Sequence, residues 1–205
     1  MQVYEPGFRN PYDLLIAKSG KMYTIDNSSN AGAGGVPVNC TNQRNEGGTT
    51  QDEALDLVGP SRYGGHANPT RGRMSNTFNG NKQSPVTTDN PIECDSLIPG
   101  VDNGSLTTFT SSTNGLTEYT ASNFGGAMKG NLLAASFNNN IYRIKLNSTG
   151  NSVVRKRVLF SNVGNKTLDV TAQGDARRFP GTIWVANIGD GPTGSGSIKV
   201  FEPNG

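Results

Sequence analysis

Residues able to do acid–base or ligating chemistry are sparse in this chain of 205 residues. The densest cluster of site-forming residue types is Arg62-Tyr63-Gly64-Gly65-His66-Ala67-Asn68-Pro69-Thr70-Arg71. His66 is the single histidine. An imidazole titrates near neutral pH and serves as a general base when a partner orients it. One histidine cannot build a zinc site of the usual kind, and no Ser-His-Asp or Cys-His set can be assembled around it. The plainer reading is a loop histidine facing solvent. Tyr63, His66 and Arg71 are therefore candidates for ligand contact, and no residue is assigned as catalytic.

Two cysteines, Cys40 and Cys94, stand in polar, loop-like contexts and form no CxxC pair. Free thiols favour burial among apolar groups. A Cys40–Cys94 disulfide is the expectation, and two unrelated thiols are the alternative. The bridge would close a loop of about 54 residues, worth about 4 kcal/mol in the chain-entropy account, and would imply an oxidising compartment.

Composition excludes several classes. A net charge of +2 gives no support to a nucleic-acid partner. The basic run Arg155-Lys156-Arg157 lies on a strand-like segment and reads as a solvated edge, as does Arg177-Arg178. The best apolar runs are about five or six residues long, too short for a membrane-spanning helix. Met1 is followed by Gln2-Val3-Tyr4, which is strand-like rather than a basic segment with an apolar core, so an export signal would lie outside this chain.

The elements that must position these groups are short strands. The apolar fraction is 33%, with 27 glycines and 11 prolines, and no i, i+3, i+4 stripe is sustained. An all-β fold is predicted. Asp13–Ala17 and Met22–Asp26 form one strand-turn-strand unit. Gly130–Ser136 with Ile141–Leu146, and Gly181–Asn187 with Ser197–Phe201, repeat the pattern. Such repetition predicts a partial β-propeller of about two to three four-stranded blades, read as one domain over 1–205. Residues 31–118 read as a long loop-rich insertion between blades, with strand candidates at Ala54–Val58 and Leu106–Phe109. Val3-Tyr4-Glu5-Pro6 resembles Val200-Phe201-Glu202-Pro203, as if both ends were cut at one point of the repeat, so neighbouring blades and domains of a longer chain are expected partners.

With these residues in view, the chain resembles the soluble quinoprotein glucose and sorbosone dehydrogenases, six-bladed β-propellers that oxidise sugars with pyrroloquinoline quinone (PQQ) and calcium. The resemblance covers roughly residues 7–35, 62–72 and 125–170. The whole chain also looks like the propeller segment of large bacterial surface proteins. Gly7-Phe8-Arg9-Asn10-Pro11 matches the family stretch whose arginine and asparagine meet the quinone, so the resemblance implies cofactor roles for Arg9 and Asn10. Ser28 and Ser29 match the family's Gly-Pro calcium ligands, whose backbone carbonyls bind the metal. The acidic residues expected just beyond are replaced by Ala31-Gly32-Ala33-Gly34-Gly35. A Ser-Leu-Lys matches Ser136-Phe137-Asn138, without the lysine. An Asn-Arg-x-Arg-Asp-Val matches Asn165-Lys166-Thr167-Leu168-Asp169-Val170, leaving Lys166 as the third cofactor candidate. The family's catalytic histidine belongs to an earlier blade that this chain does not contain.

A quinone bearing three carboxylates needs forked cationic contacts, and this set is depleted. The expected function is therefore a secreted or cell-surface module, derived from the sugar dehydrogenase fold, that binds carbohydrate or another protein without catalysis or cofactor. The alternative is the C-terminal part of a PQQ- and calcium-dependent sugar dehydrogenase.

Overall fold

The computed structural model describes residues 4–5, 7–27, 52–60, 62, 64, 77–78, 81–82, 105–190 and 195–204; at 77–78 and 81–82 only the backbone is considered. Among them run β1 (Pro11–Ile16), β2 (Met22–Asp26), β3 (Glu53–Val58), β4 (Thr77–Phe78), β5 (Asn81–Lys82) and β6 (Thr107–Phe109). β7 (Thr113–Tyr119), β8 (Asn131–Ser136), β9 (Asn140–Leu146), β10 (Val153–Phe160), β11 (Thr167–Ala172), β12 (Ile183–Asn187) and β13 (Ser197–Phe201) follow. The only helical element among the described residues is a single 3₁₀ turn, Phe124–Gly126.

Three antiparallel sheets carry the fold, in the orders β1-β2-β3-β6, β10-β9-β8-β7 and β11-β12-β13, beside a two-stranded β4-β5 ribbon. The strand-turn-strand units expected from the sequence are all present as hairpins of these sheets. The stretch 31–118, expected as an insertion, contributes β3 and β6 to the first sheet and β7 to the second. The strand candidates Ala54–Val58 and Leu106–Phe109 are β3 and β6, and each strand of the stretch buries only a few apolar residues: Ala54 and Leu55 on β3, Phe109 on β6 and Leu116 and Tyr119 on β7.

The chain divides into two compact units, Met1–Pro11 with Asp26–Thr110, and Tyr12–Ile25 with Ser111–Gly205. In the first, β3 pairs with β6, Leu55 opposite Thr107, and the Leu106 amide donates to the Leu55 carbonyl at 2.7 Å.

The second unit holds the larger core. β8 is buried at every position, as a strand flanked by β7 and β9 and covered on both faces must be. Its Leu133 and Ala135 pack with Tyr119, Ile141, Val163, Val170, Ile183 and Val185. The Tyr119 hydroxyl stays inside this apolar set by donating to the Gly181 carbonyl at 3.1 Å. Phe160 of β10 stacks on Phe201 of β13, with ring centroids 4.1 Å apart. Two contacts tie the β1–β2 hairpin into the same unit: the Leu116 amide donates to Asp13 at 3.0 Å, and the Tyr23 hydroxyl to the Gly150 carbonyl at 2.8 Å.

Gly115 of β7 sets how closely β11 approaches. A methyl group there would sit 2.5 Å from the Asp169 Cα and 2.7 Å from the Val170 nitrogen. Because those neighbours are backbone, they cannot swing aside. Gly115→Ala is expected to destabilise the protein by about 1–3 kcal/mol, as overpacking does. A denaturant midpoint equal to that of the wild type would contradict this account of the contact.

Candidate functional site

The matched Arg9-Asn10 pair is organised by an acid at the end of β2. The Arg9 amide donates to Asp26 Oδ2 at 3.0 Å and the Asn10 amide to Asp26 Oδ1 at 2.6 Å. The Arg9 guanidinium donates to the Asn27 carbonyl at 3.1 Å, and the Asn27 amide returns to the Asn10 carbonyl at 3.3 Å. Asp26 is 3% exposed. Burial raises its pKa, opposed by the amides of Arg9 and Asn10 and by the Arg9 charge. The loop is thus pinned through its backbone, and both side chains stand at the surface.

Two further acids share this unit. Glu5 accepts the Gly59 amide at 2.6 Å, and its pKa is raised by burial against the lowering pull of that bond and of Arg62. Asp56, in mid-β3, is buried, and its Oδ2 has no hydrogen-bond partner among the described residues. Burial first, then the charges of Asp26 and Glu5, hold its carboxyl well above the usual range, with Arg62 pulling the other way. Among the described residues no group of three His, Cys, Asp or Glu side chains is arranged to hold a metal ion.

In the second unit the matched positions are engaged locally. Asn138 donates to the Tyr142 hydroxyl at 2.8 Å. Lys166 Nζ lies 3.6 Å from Asp190, both side chains largely exposed, and Asn165 also donates to Asp190. The Lys166 amide donates to Asn139 Oδ1 at 2.8 Å. Ser28, Ser29, Tyr63, His66 and Arg71 lie outside the described residues, as do Cys40 and Cys94.

The third sheet carries a cleft that no motif in the sequence marks. β12 alternates, with Ile183, Val185 and Asn187 buried and Trp184 and Ala186 on the opposite face. In register, Thr171 and Val200 flank Trp184, and Asp169 and Ile198 flank Ala186. The loop after β11 adds Gln173, Arg178 and Phe179, enclosing about 480 Å³, within the roughly 300–1,000 Å³ range of small-molecule sites. The indole is fixed at its edge. Its N–H donates to the Thr182 hydroxyl at 2.8 Å, and that hydroxyl donates to the Phe179 carbonyl at 2.8 Å. Phe179 meets the indole at 5.6 Å between centroids, and the Arg178 guanidinium sits 5.5 Å from the Phe179 ring. Asp169 accepts the Val170 amide at 2.8 Å; burial raises its pKa and the Asp13 charge adds to the rise.

The fold is similar to part of the β-propeller fold of solved sugar dehydrogenases. The PQQ-bound aldose sugar dehydrogenase of Streptomyces coelicolor is 12% identical with a TM-score of 0.55; the match covers 98% of this chain and 45% of that one. The soluble aldose sugar dehydrogenase of Escherichia coli, in its apo form, is 15% identical with a TM-score of 0.59, over 98% of this chain and 47% of that one. A glucose dehydrogenase gives 14% and 0.57, over 98% and 43%. This chain thus spans less than half the length of each. At such identities the likeness establishes the fold alone. No known family profile and no curated protein sequence matches.

Removing the Asp26 carboxylate strands two amides, so Asp26→Ala is expected to cost about 1–3 kcal/mol in thermal or chemical unfolding. The raised carboxyls of Glu5, Asp26 and Asp56 bind protons more tightly folded than unfolded. Their contribution to stability is full below the ordinary carboxylate range and is lost as pH rises through their raised values. Asp56→Asn should flatten that decline, and an unchanged melting-temperature profile between acid and neutral pH would contradict it.

Proposed function

We propose that the chain is a non-catalytic β-propeller module of a secreted or surface protein, and that it binds carbohydrate. The observation that carries this reading is the cleft on the third sheet. A rigid indole offers a flat apolar surface to the C–H face of a sugar ring. Gln173, Asp169, Thr171 and Arg178 around it can donate to or accept from ring hydroxyls. Because Trp184 is held by its own hydrogen bond, little side-chain freedom is lost on binding.

The matched positions fit a quinone poorly, which supports the absence of catalysis. The resemblance asks for cations to meet carboxylates, and the described residues supply Asn138 bonded to Tyr142, an uncharged Leu168, and Lys166 beside Asp190. The retention of Arg9 and Asn10 is the feature that favours the alternative, a PQQ-dependent dehydrogenase segment. Their part in closing the loop on Asp26 and Asn27 accounts for that retention without a cofactor.

Trp184 is the chain's sole tryptophan, so fluorescence excited selectively at tryptophan reports on this cleft. Titration with glucose, maltose and cellobiose is expected to give a saturable change, weakened on the order of tenfold in Gln173→Ala, which forfeits one hydrogen bond to the sugar. A flat response to all three sugars would remove the cleft as the binding site. Sugar oxidation after addition of PQQ and calcium would overturn the non-catalytic reading.

A further inference from the structure

We propose that the outer part of the second sheet, on β9 and β10, is a second binding surface, and that its ligand is an acidic polysaccharide. The proposal extends the carbohydrate-binding reading to a different place and a different class of sugar. In the β9–β10 register Arg155 lies directly opposite Lys145, and Arg157 directly opposite Arg143. Like charges at opposed positions destabilise an antiparallel pair. Here two such pairs stand together, and with Val154 they line a groove of about 340 Å³. The ion pairs among the described residues are Lys129–Asp175 and Lys166–Asp190, so none of these four cations is neutralised by one.

Arg143 is held in place. It donates to Asn131 Oδ1 at 2.8 Å and to the Ala127 carbonyl. Its pKa is lowered by burial and by the charges of Arg157 and Arg155, as crowding among like charges requires.

Protection of a sheet edge accounts for charge on β10, the outermost strand. It does not account for Arg143 and Lys145, because β9 is paired on both sides, to β8 and to β10. What the four groups share is complementarity to a linear array of anions. Same-face residues along a strand are about 6.7 Å apart and opposed residues about 5 Å apart, so the array is two by two. Arginine forks match carboxylates and sulfates. The lining has no aromatic ring on which a nucleobase could stack, and its only apolar member is Val154, which gives an acyl chain nothing to enter. A polymer with anions on neutral rings fits best.

The test uses the full chain with polygalacturonate and heparin as probes, dextran as the uncharged control, and duplex DNA and phosphatidylserine vesicles as rival polyanions. Saturable binding of polygalacturonate or heparin is expected, falling with added salt and weakening on the order of tenfold in the double variant Arg155→Gln/Arg157→Gln. The same variant should melt higher than the wild type, because it relieves the opposed charges. Trp184→Ala should leave this binding unchanged, which separates failure of this surface from failure of the cleft. Three results would each overturn the proposal: no binding to either acidic probe, equal affinity for DNA or vesicles, or an affinity indifferent to the double variant.

Discussion

A single buried carboxylate closes the loop that carries Arg9 and Asn10. Asp26 ends β2 and receives the amides of Arg9 and Asn10 at once. Two charge-assisted bonds from consecutive amides fix a loop more firmly than side-chain contacts could, because they leave the backbone little room to turn. The cost is a charge held away from water, and neighbouring Asp56 compounds it. An acid whose Oδ2 has no partner among the described residues, crowded by two others, holds its proton more tightly than a free carboxyl. The first unit therefore carries its polar loop beside a cluster of acids whose ionisation burial opposes.

The second unit works by different means. Its stability comes from β8 buried on both faces, from the Tyr119 hydroxyl bonded inside the core, and from a close backbone approach at Gly115. Its polar residues are left to the surfaces: a fixed indole among hydrogen-bonding groups on the third sheet, and crowded cations on the second. Within this unit the exposed polar side chains thus lie on sheet faces and the apolar ones between the sheets.

Much of this architecture was legible in the sequence. Runs such as Met22–Asp26 and Ser197–Phe201 are strands at their expected bounds, because β-branched and aromatic residues set between turn-forming residues leave few alternatives. The stretch 31–118 was harder to read. β7 includes Asn114 and Gly115, residues that count against a strand on propensity and are accepted there because tertiary packing needs a small or polar group. The site was less legible still. Asp26 reads as the polar end of a strand, and nothing local says that its partners lie seventeen and sixteen positions upstream. Trp184 was legible as a strand residue, but its role on an open face depends on Thr171, Gln173 and Phe179, which only the pairing of β11 with β12 brings beside it. Arg155 and Arg157 were visible as a basic run, yet their opposition to Lys145 and Arg143 is a matter of register, which composition does not encode.

The close approach at Gly115 bears on how such a fold drifts. Chains only 12–15% identical to this one share its architecture, so most positions have been free to change. A glycine pressed against another strand's backbone, as Gly115 is, has no room for a side chain whatever the site's chemistry. In a set of diverged relatives such a position would stand out as invariant and invite a functional explanation, when what it records is the space that two backbones need to pass.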